Sequence, residues 1–196
     1  MNPTKSLASD PRARLLETAV RLFREQGYNA TGINQLIAES GIAKASFYHH
    51  FPAKEDLFIA VLEHLHEAWL SELEGALAIQ PTPSEKIREL FRLQRRQACG
   101  PKATGCAFQN AAGEFPLGHP RVREATKAHR AGLARMQREL IAEHFETRGI
   151  ARDVVEAAEE LAVLLEGGMK AAHMTGDPVP IEAAERIAED RFRLDP

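Results

Sequence analysis

The chain is predicted to be all-helical, with about nine helices: a helix-turn-helix head at the amino-terminal end and a helical remainder. Three observations lead there. Apolar residues recur at three- and four-residue spacings through most of the 196 residues. No stretch alternates apolar and polar residues over a useful length, so nothing reads as a strand. The segment from Thr31 to Leu57, TGINQLIAESGIAKASFYHHFPAKEDL, reads as two short helices joined at a glycine turn, with a longer helix behind them.

Residues 1 to 9 are polar, with only Lys5 basic, and read as a frayed arm. Asp10 followed by Pro11 marks a helix start, because Asp caps free amides and proline at the first helical position has no amide to leave unpaired. Leu15, Ala19, Leu22 and Phe23 give this helix one apolar face, and Gly27 is expected to end it near Gln26. Thr31 is placed to cap the next helix, whose apolar residues Ile33, Leu36 and Ile37 share a face. Gly41 stands where that helix needs a left-handed residue to stop. A turn of Gly41, Ile42 and Ala43 leads into Lys44–His50, a helix with one buried-type residue, Phe47. Its other residues Lys44, Ser46, Tyr48, His49 and His50 carry groups that hydrogen-bond phosphates or base edges. This is the order of a helix-turn-helix with its recognition helix last.

Phe51 and Pro52 break the pattern, and a long helix starts near Lys54 with Leu57, Val61, Leu65, Ala68 and Leu73 along one side. Thr82, Pro83, Ser84 and Glu85 form a capping box, so the next helix runs from there to about Ala98 with Ile87, Leu90, Phe91 and Gln94 inward. Glycine and proline punctuate Cys99 to Pro120, leaving room for a short helix over Ala107–Phe115. Arg121 to Arg148 is a long amphipathic helix closed by Gly149, with Val122, Ala125, Leu133, Met136, Leu140 and Ile141 on its apolar side. The alanine- and leucine-rich stretch from Asp153 to Met174 is expected to be interrupted at Gly167 and Gly168. A last helix runs from about Pro180 to Phe192.

Composition narrows the function classes. The length suffices for a core without disulfides or metals, and only Cys99 and Cys106 are available for either. No apolar run approaches the roughly 18 residues of a membrane span and no leader stands at Met1, so a soluble cytoplasmic protein without membrane attachment is expected. The net charge of -3 is uneven: residues 1 to 54 hold seven Lys or Arg against four Asp or Glu, so the basic excess sits with the helix-turn-helix. That favours a polyanionic partner. No nucleophile elbow, glycine-rich phosphate loop or paired-histidine zinc motif occurs, which leaves a helical enzyme as a remote alternative. His49 and His50 are not expected to share a metal, since neighbours on a helix point about 100° apart. No cofactor is expected.

The string GIAKASFYHHFPAKEDLF, with the amphipathic helix ending in Gly27 and Tyr28, resembles the DNA-binding domain of the TetR family of transcriptional repressors over roughly residues 10 to 60. A second stretch, GCAFQNAAGEF followed by HPRVR, resembles part of the ligand-binding domain of one broad subgroup. The resemblance implies a homodimer that binds a palindromic operator in double-stranded DNA and releases it when a small-molecule effector enters the carboxy-terminal domain. Domain bounds of 10–54 and 55–196 follow. Expected DNA contacts are Lys44 and Ser46 to bases or phosphates, Tyr48, His49 and His50 to the backbone, and Thr31, Gly32 and Lys54 at helix starts suited to a phosphate. Ala45 is short enough to let the helix approach the bases. Family members often carry Ser or Thr where Ala43 stands and Ser or Asn where Ala53 stands. Each lost cap is expected to cost about 1 kcal/mol.

Effector-pocket candidates are Leu65, Trp69, Phe91, Gln94, Cys106, Phe108, Asn110, Phe115, His129, Met136, Met169 and His173, apolar residues with a few polar groups between them. The dimer interface is expected on the last two helices, at Leu161, Leu164, Leu165, Gly168, Ala172, Ile181, Ala184 and Ile187, where small residues allow close helix approach. The same stripe could instead face its own core. An alternative function makes Cys106 a thiol sensor of oxidants or electrophiles, since it precedes the short helix with Lys102 nearby. The plainer reading of a lone cysteine is a small buried apolar residue.

Overall fold

The computed structural model describes residues 10–100, 103–115 and 119–194, and these form nine helices and no strand. They are α1 (Pro11–Ala30), α2 (Ile33–Ser40), α3 (Lys44–His50), α4 (Lys54–Ala78), α5 (Pro83–Cys99), α6 (Ala107–Glu114), α7 (Pro120–Arg148), α8 (Val154–Thr175) and α9 (Val179–Phe192). The all-helical expectation holds. The amino-terminal arm and Lys102 lie outside the described residues.

Local chemistry accounts for most of the boundaries. The Asp10 carboxylate accepts from the Arg12 amide at 3.1 Å, the Thr82 hydroxyl from the Glu85 amide at 3.1 Å, and the Asp153 carboxylate from the Glu156 amide at 2.8 Å. Each satisfies an amide that the first helical turn leaves without a partner. At Gly27 the backbone turns to φ 84° and ψ 170°, so the first helix breaks there as expected and resumes for one short turn to Ala30. The expected interruption of α8 at Gly167 and Gly168 does not occur, because both residues stay helical within one continuous element. At Gly168 the reason for glycine is packing: a Cβ there would lie 2.9 Å from the Ala184 Cβ and 3.1 Å from the Ile181 Cα. Glycine therefore lets α9 lie close against α8.

The chain divides into two compact units. The first ends at Glu67 and adds Ala107–Thr126; the second takes Ala68–Cys106 and the chain from Lys127 onward. Helices α4 and α7 each contribute residues to both. In the first unit α1 packs on α2, α3 and α6, and Leu15, Leu36, Phe47 and Leu57 are wholly buried. In the second, α5, α8 and α9 form the main packing, around Ile87, Phe91, Leu161, Leu165, Ala172, Ile181 and Phe192.

An acid-sensitive clamp fastens α8 to α9. Glu160 accepts two hydrogen bonds from one edge of the Arg191 guanidinium, from Nη2 at 2.6 Å and Nε at 2.8 Å, and one from Arg152 at 2.8 Å. The Arg191 hydrogen bonds chiefly hold its carboxyl down to about 2; partial burial opposes them and Arg152 assists. A depressed carboxylate contributes stability above its unfolded value of 4.5 and loses it as pH falls toward 2. Glu160→Gln is therefore expected to flatten the acid limb of the stability curve across that window, measured as melting temperature against pH. An acid limb unchanged in the variant would contradict this role.

Candidate nucleic-acid interface

The recognition helix is anchored by one side chain and displays the others. Phe47 is 0% exposed, and Phe51, closing the helix, is also buried. With that face fixed, Lys44, Ala45, Tyr48 and His49 are exposed and Ser46 and His50 partly so. Six of the expected DNA contacts thus share one presented helix. Gly41 takes the left-handed conformation that ends α2, and Arg14 on α1 grips that end, donating 2.6 Å hydrogen bonds to the Ser40 and Gly41 carbonyls. The charged donor satisfies carbonyls that the helix end leaves open and fixes the angle at which α3 departs.

The missing cap at Ala43 is confirmed: Ala43 precedes α3 in an extended conformation and makes no side-chain cap bond. The loss at Ala53 is partly offset, since the Asp56 carboxylate reaches back to accept from the Ala53 amide at 2.8 Å. Ala43→Ser is expected to raise the melting temperature by about 2–4 °C, the equivalent of about 1 kcal/mol for a chain of this size. An unchanged melting temperature would show that water already serves those amides.

Two expected phosphate contacts are corrected. Thr31 is fully buried; its hydroxyl donates to the Gly27 carbonyl at 2.6 Å and accepts from Gln26 Nε2, and the residue before α2 is Gly32, which makes no side-chain cap bond. Only Gly32 of this pair is exposed. The Lys54 ammonium turns inward, donating to the Tyr28 carbonyl at 2.9 Å and the Thr31 carbonyl at 3.0 Å, and it lies 3.9 Å from the Tyr28 ring centroid. Burial pulls its pKa below the usual lysine value, with Glu114 pulling the other way. A helix start and a cation looked like a phosphate site, but the cation is held by carbonyls of the α1–α2 junction.

Sequence reasoning missed the residue on the other side of that junction. Glu114, the last residue of α6, accepts from the Tyr28 amide at 3.1 Å and the Asn29 amide at 2.9 Å. Both amides follow the Gly27 break, where the helical ladder is interrupted. A Cβ on Gly27 would sit 2.7 Å from a Glu114 oxygen and displace that carboxylate, and the positive φ favours glycine there independently. Around this clamp Tyr28, Phe58 and Phe115 stack with centroids 4.7–5.4 Å apart. The available signal was the GEF string, but nothing in it points to Tyr28.

The effector-pocket candidates are distributed over both units. Leu65, Phe108, Asn110 and Phe115 belong to the first unit, where Phe108 faces His66 and Phe115 joins the aromatic stack. Trp69, Phe91, Gln94, Cys106, His129, Met136, Met169 and His173 belong to the second. There Phe91 and Met169 are core, with Trp69, Cys106 and Met136 packed on it half-buried, and His129 is buried. Gln94 is 8% exposed and its Oε1 is sealed from solvent with no hydrogen-bond partner. Leaving such an acceptor unpaired costs about 1–3 kcal/mol. Cys106 immediately precedes α6, the position expected for it.

Most of the expected dimer interface is corrected as well. Leu161, Leu165, Gly168, Ala172, Ile181 and Ala184 are buried within their own subunit between α5, α8 and α9. Of the eight, only Leu164 and Ile187 reach the surface. A different stripe is exposed on α8: Val163, Gly167 and Met174. Small apolar residues look alike in sequence whether they admit a neighbouring helix of the same chain or of a second copy.

Comparison with known proteins gives a consistent result. Residues 15–61 match the model for bacterial regulatory proteins of the tetR family, and residues 83–188 match that for the tetracyclin repressor-like C-terminal domain. The chain is 35% identical over 118 residues to the HTH-type transcriptional regulator LmrA of Bacillus subtilis, covering 59% of this chain and 63% of that one. It is 30% identical over 185 residues to the uncharacterized HTH-type regulator Rv0196 of Mycobacterium tuberculosis, covering 90% and 91%. Among solved structures, SCO4454, a TetR-family transcriptional regulator from Streptomyces coelicolor, superposes with a TM-score of 0.83 at 32% identity over 95% of this chain and 96% of that one.

Proposed function

The chain belongs to the TetR family of DNA-binding transcriptional regulators, which are not enzymes, and from that premise we propose a homodimeric cytoplasmic repressor. It holds a palindromic operator and releases it when a small molecule binds its helical domain. The observation that carries the reading is the presentation of Lys44, Ala45, Ser46, Tyr48 and His49 on one helix pinned by Phe47. A short helix with a buried anchor and a polar outer face fits a major groove, where Ser reaches bases and Lys, Tyr and His reach phosphates. The DNA-binding domain spans 10–54, with the effector and dimer domain in 55–196. No helix among the described residues is long and apolar enough to cross a membrane.

Release works through spacing. Two recognition helices bind half-sites about one helical turn apart, and a ligand favouring another spacing lowers operator affinity in proportion to its preference for that state. The proposed relay is α6: Cys106 precedes it and Glu114 ends it, holding the junction from which α2 and α3 extend. The partner copy docks on the exposed α8 stripe of Val163, Gly167 and Met174, with Leu164 and Ile187 beside it.

Binding measurements on operator and random DNA test the interface residue by residue. Lys44→Ala is expected to weaken both alike and to lower the salt-dependence slope by about one. Ser46→Ala is expected to weaken the operator and spare random DNA. Equal losses on both DNAs for both variants would contradict these roles.

A further inference from the structure

The Gln94 amide sits at an unusual place in the second unit. On α5, Phe91 stands three residues before it and Ala98 four after, 1% and 2% exposed. Arg88 pairs with Glu189 and Arg95 with Glu182, so α5 runs antiparallel to α9. Because α9 returns along α8, α5 and α8 run parallel, and the ends agree: His173 Nδ1 donates to the Ala98 carbonyl at 3.4 Å and Cys99 approaches the Ala172 carbonyl at 3.8 Å. Gln94, one turn before Ala98, is therefore level with Met169, one turn before His173. Met169 is 3% exposed. The Gln94 Oε1 is buried at this level of the apolar core that includes Phe91, Ala98 and Met169, and it has no hydrogen-bond partner. Beyond it, the backbone at Gly105 passes so close to His173 that a Cβ there would lie 2.6 Å from the ring. Cys106 follows and packs on the same core.

Resting on the effector reading above, we infer that the effector is an uncharged, largely apolar molecule carrying a hydrogen-bond donor, a hydroxyl or N–H, that Gln94 Oε1 receives. The apolar core that holds Phe91, Ala98 and Met169 suits the body of such a molecule, and the orphan acceptor gives it an orientation. A carboxylate is rejected, since it brings another acceptor and a charge that loses its water on entry. Donor-bearing and donor-free analogues are separated because the buried acceptor is satisfied by one and left unpaired by the other.

The test uses para-butylphenol, para-butylanisole and para-butylbenzoate with the full-length protein, by calorimetric titration. Wild type is expected to bind the phenol about tenfold tighter than the anisole, with the benzoate weakest. Gln94→Leu is expected to bind the anisole as wild type does, to lose the preference, and to melt higher than wild type when ligand-free, because the unpaired acceptor is gone. Gln94→Met serves the same comparison if the leucine does not fit. Binding of none of the three by wild type, or a phenol preference that survives both substitutions, overturns the proposal. A ligand-free variant that melts lower also overturns it, since an ordered water would then satisfy Oε1. The two readings fail separately. Phenol bound through Gln94 with the operator still held refutes effector release and keeps the donor preference. Release by phenol and anisole alike does the reverse.

Discussion

Glu114→Ala is expected to reduce operator affinity by about tenfold to a hundredfold while leaving the chain helical. The carboxylate receives the amides of Tyr28 and Asn29, and its own carbonyl receives the Asn29 side chain at 3.3 Å. Hydrogen bonds to a charged acceptor contribute about 1.5–3 kcal/mol each, and every 1.4 kcal/mol is about a factor of ten in binding. Removing the carboxylate leaves two amides exposed beside a backbone already out of the helical region at Gly27. Tyr28 then keeps its ring contacts, the Thr31 amide bond to its carbonyl, and Lys54, whose ammonium bonds the Tyr28 and Thr31 carbonyls. Since α2 and α3 extend from this junction, the fraction of heads in the binding shape falls, and apparent affinity falls with it. Glu114→Gln keeps an acceptor and is expected to lose less. Binding isotherms and circular dichroism check this. Full operator affinity in Glu114→Ala would show that the aromatic stack alone fixes the junction.

The adjacent glycines of α8 are expected to give opposite outcomes. Gly168→Leu is expected to disrupt the second unit, because even a Cβ there meets Ala184 at 2.9 Å and the Ile181 backbone at 3.1 Å. Overpacking of this kind costs about 1–3 kcal/mol when neighbours can shift, and a backbone neighbour shifts least. At Gly167 an added Cβ meets nothing within 4 Å, so Gly167→Leu is expected to be accommodated. It is expected to melt at or above the wild-type temperature as a dilute monomer, since glycine in a helix is about 1 kcal/mol worse than alanine. The same side chain stands on the exposed stripe with Val163 and Met174, so the dimer weakens and affinity for a two-half-site operator falls. Sedimentation across a concentration series separates the two. A Gly167→Leu protein that remains a tight dimer would move the partner surface away from α8.

These two cases show where the sequence could be read. Asp10, Thr82, Asp153 and Gly41 act within three or four residues of themselves, so helix starts and stops were visible in composition alone. Phe47 was legible because one large apolar residue in a polar helix has one place to go. The role of Glu114 was not legible, since its partners stand 85 and 86 residues away and a carboxylate on a short helix carries no address. Lys54 was misread for a related reason: position suggested phosphate, while the carbonyls that hold it come from residues 23 and 26 positions earlier. The basic excess of the first 54 residues overstated the free cations, because Arg14 and Lys54 are both engaged inside the head and Arg21 is paired with Glu39. Gly167 and Gly168 read alike, and only the position of α9 tells them apart.

The most direct test of a dimer reading DNA through α3 is selection of bound duplexes from a random-sequence pool by the full-length protein, followed by sequencing. The account predicts one enriched consensus with two-fold symmetry and half-site centres about one helical turn apart. A pool that stays random, or a consensus without that symmetry, would contradict it.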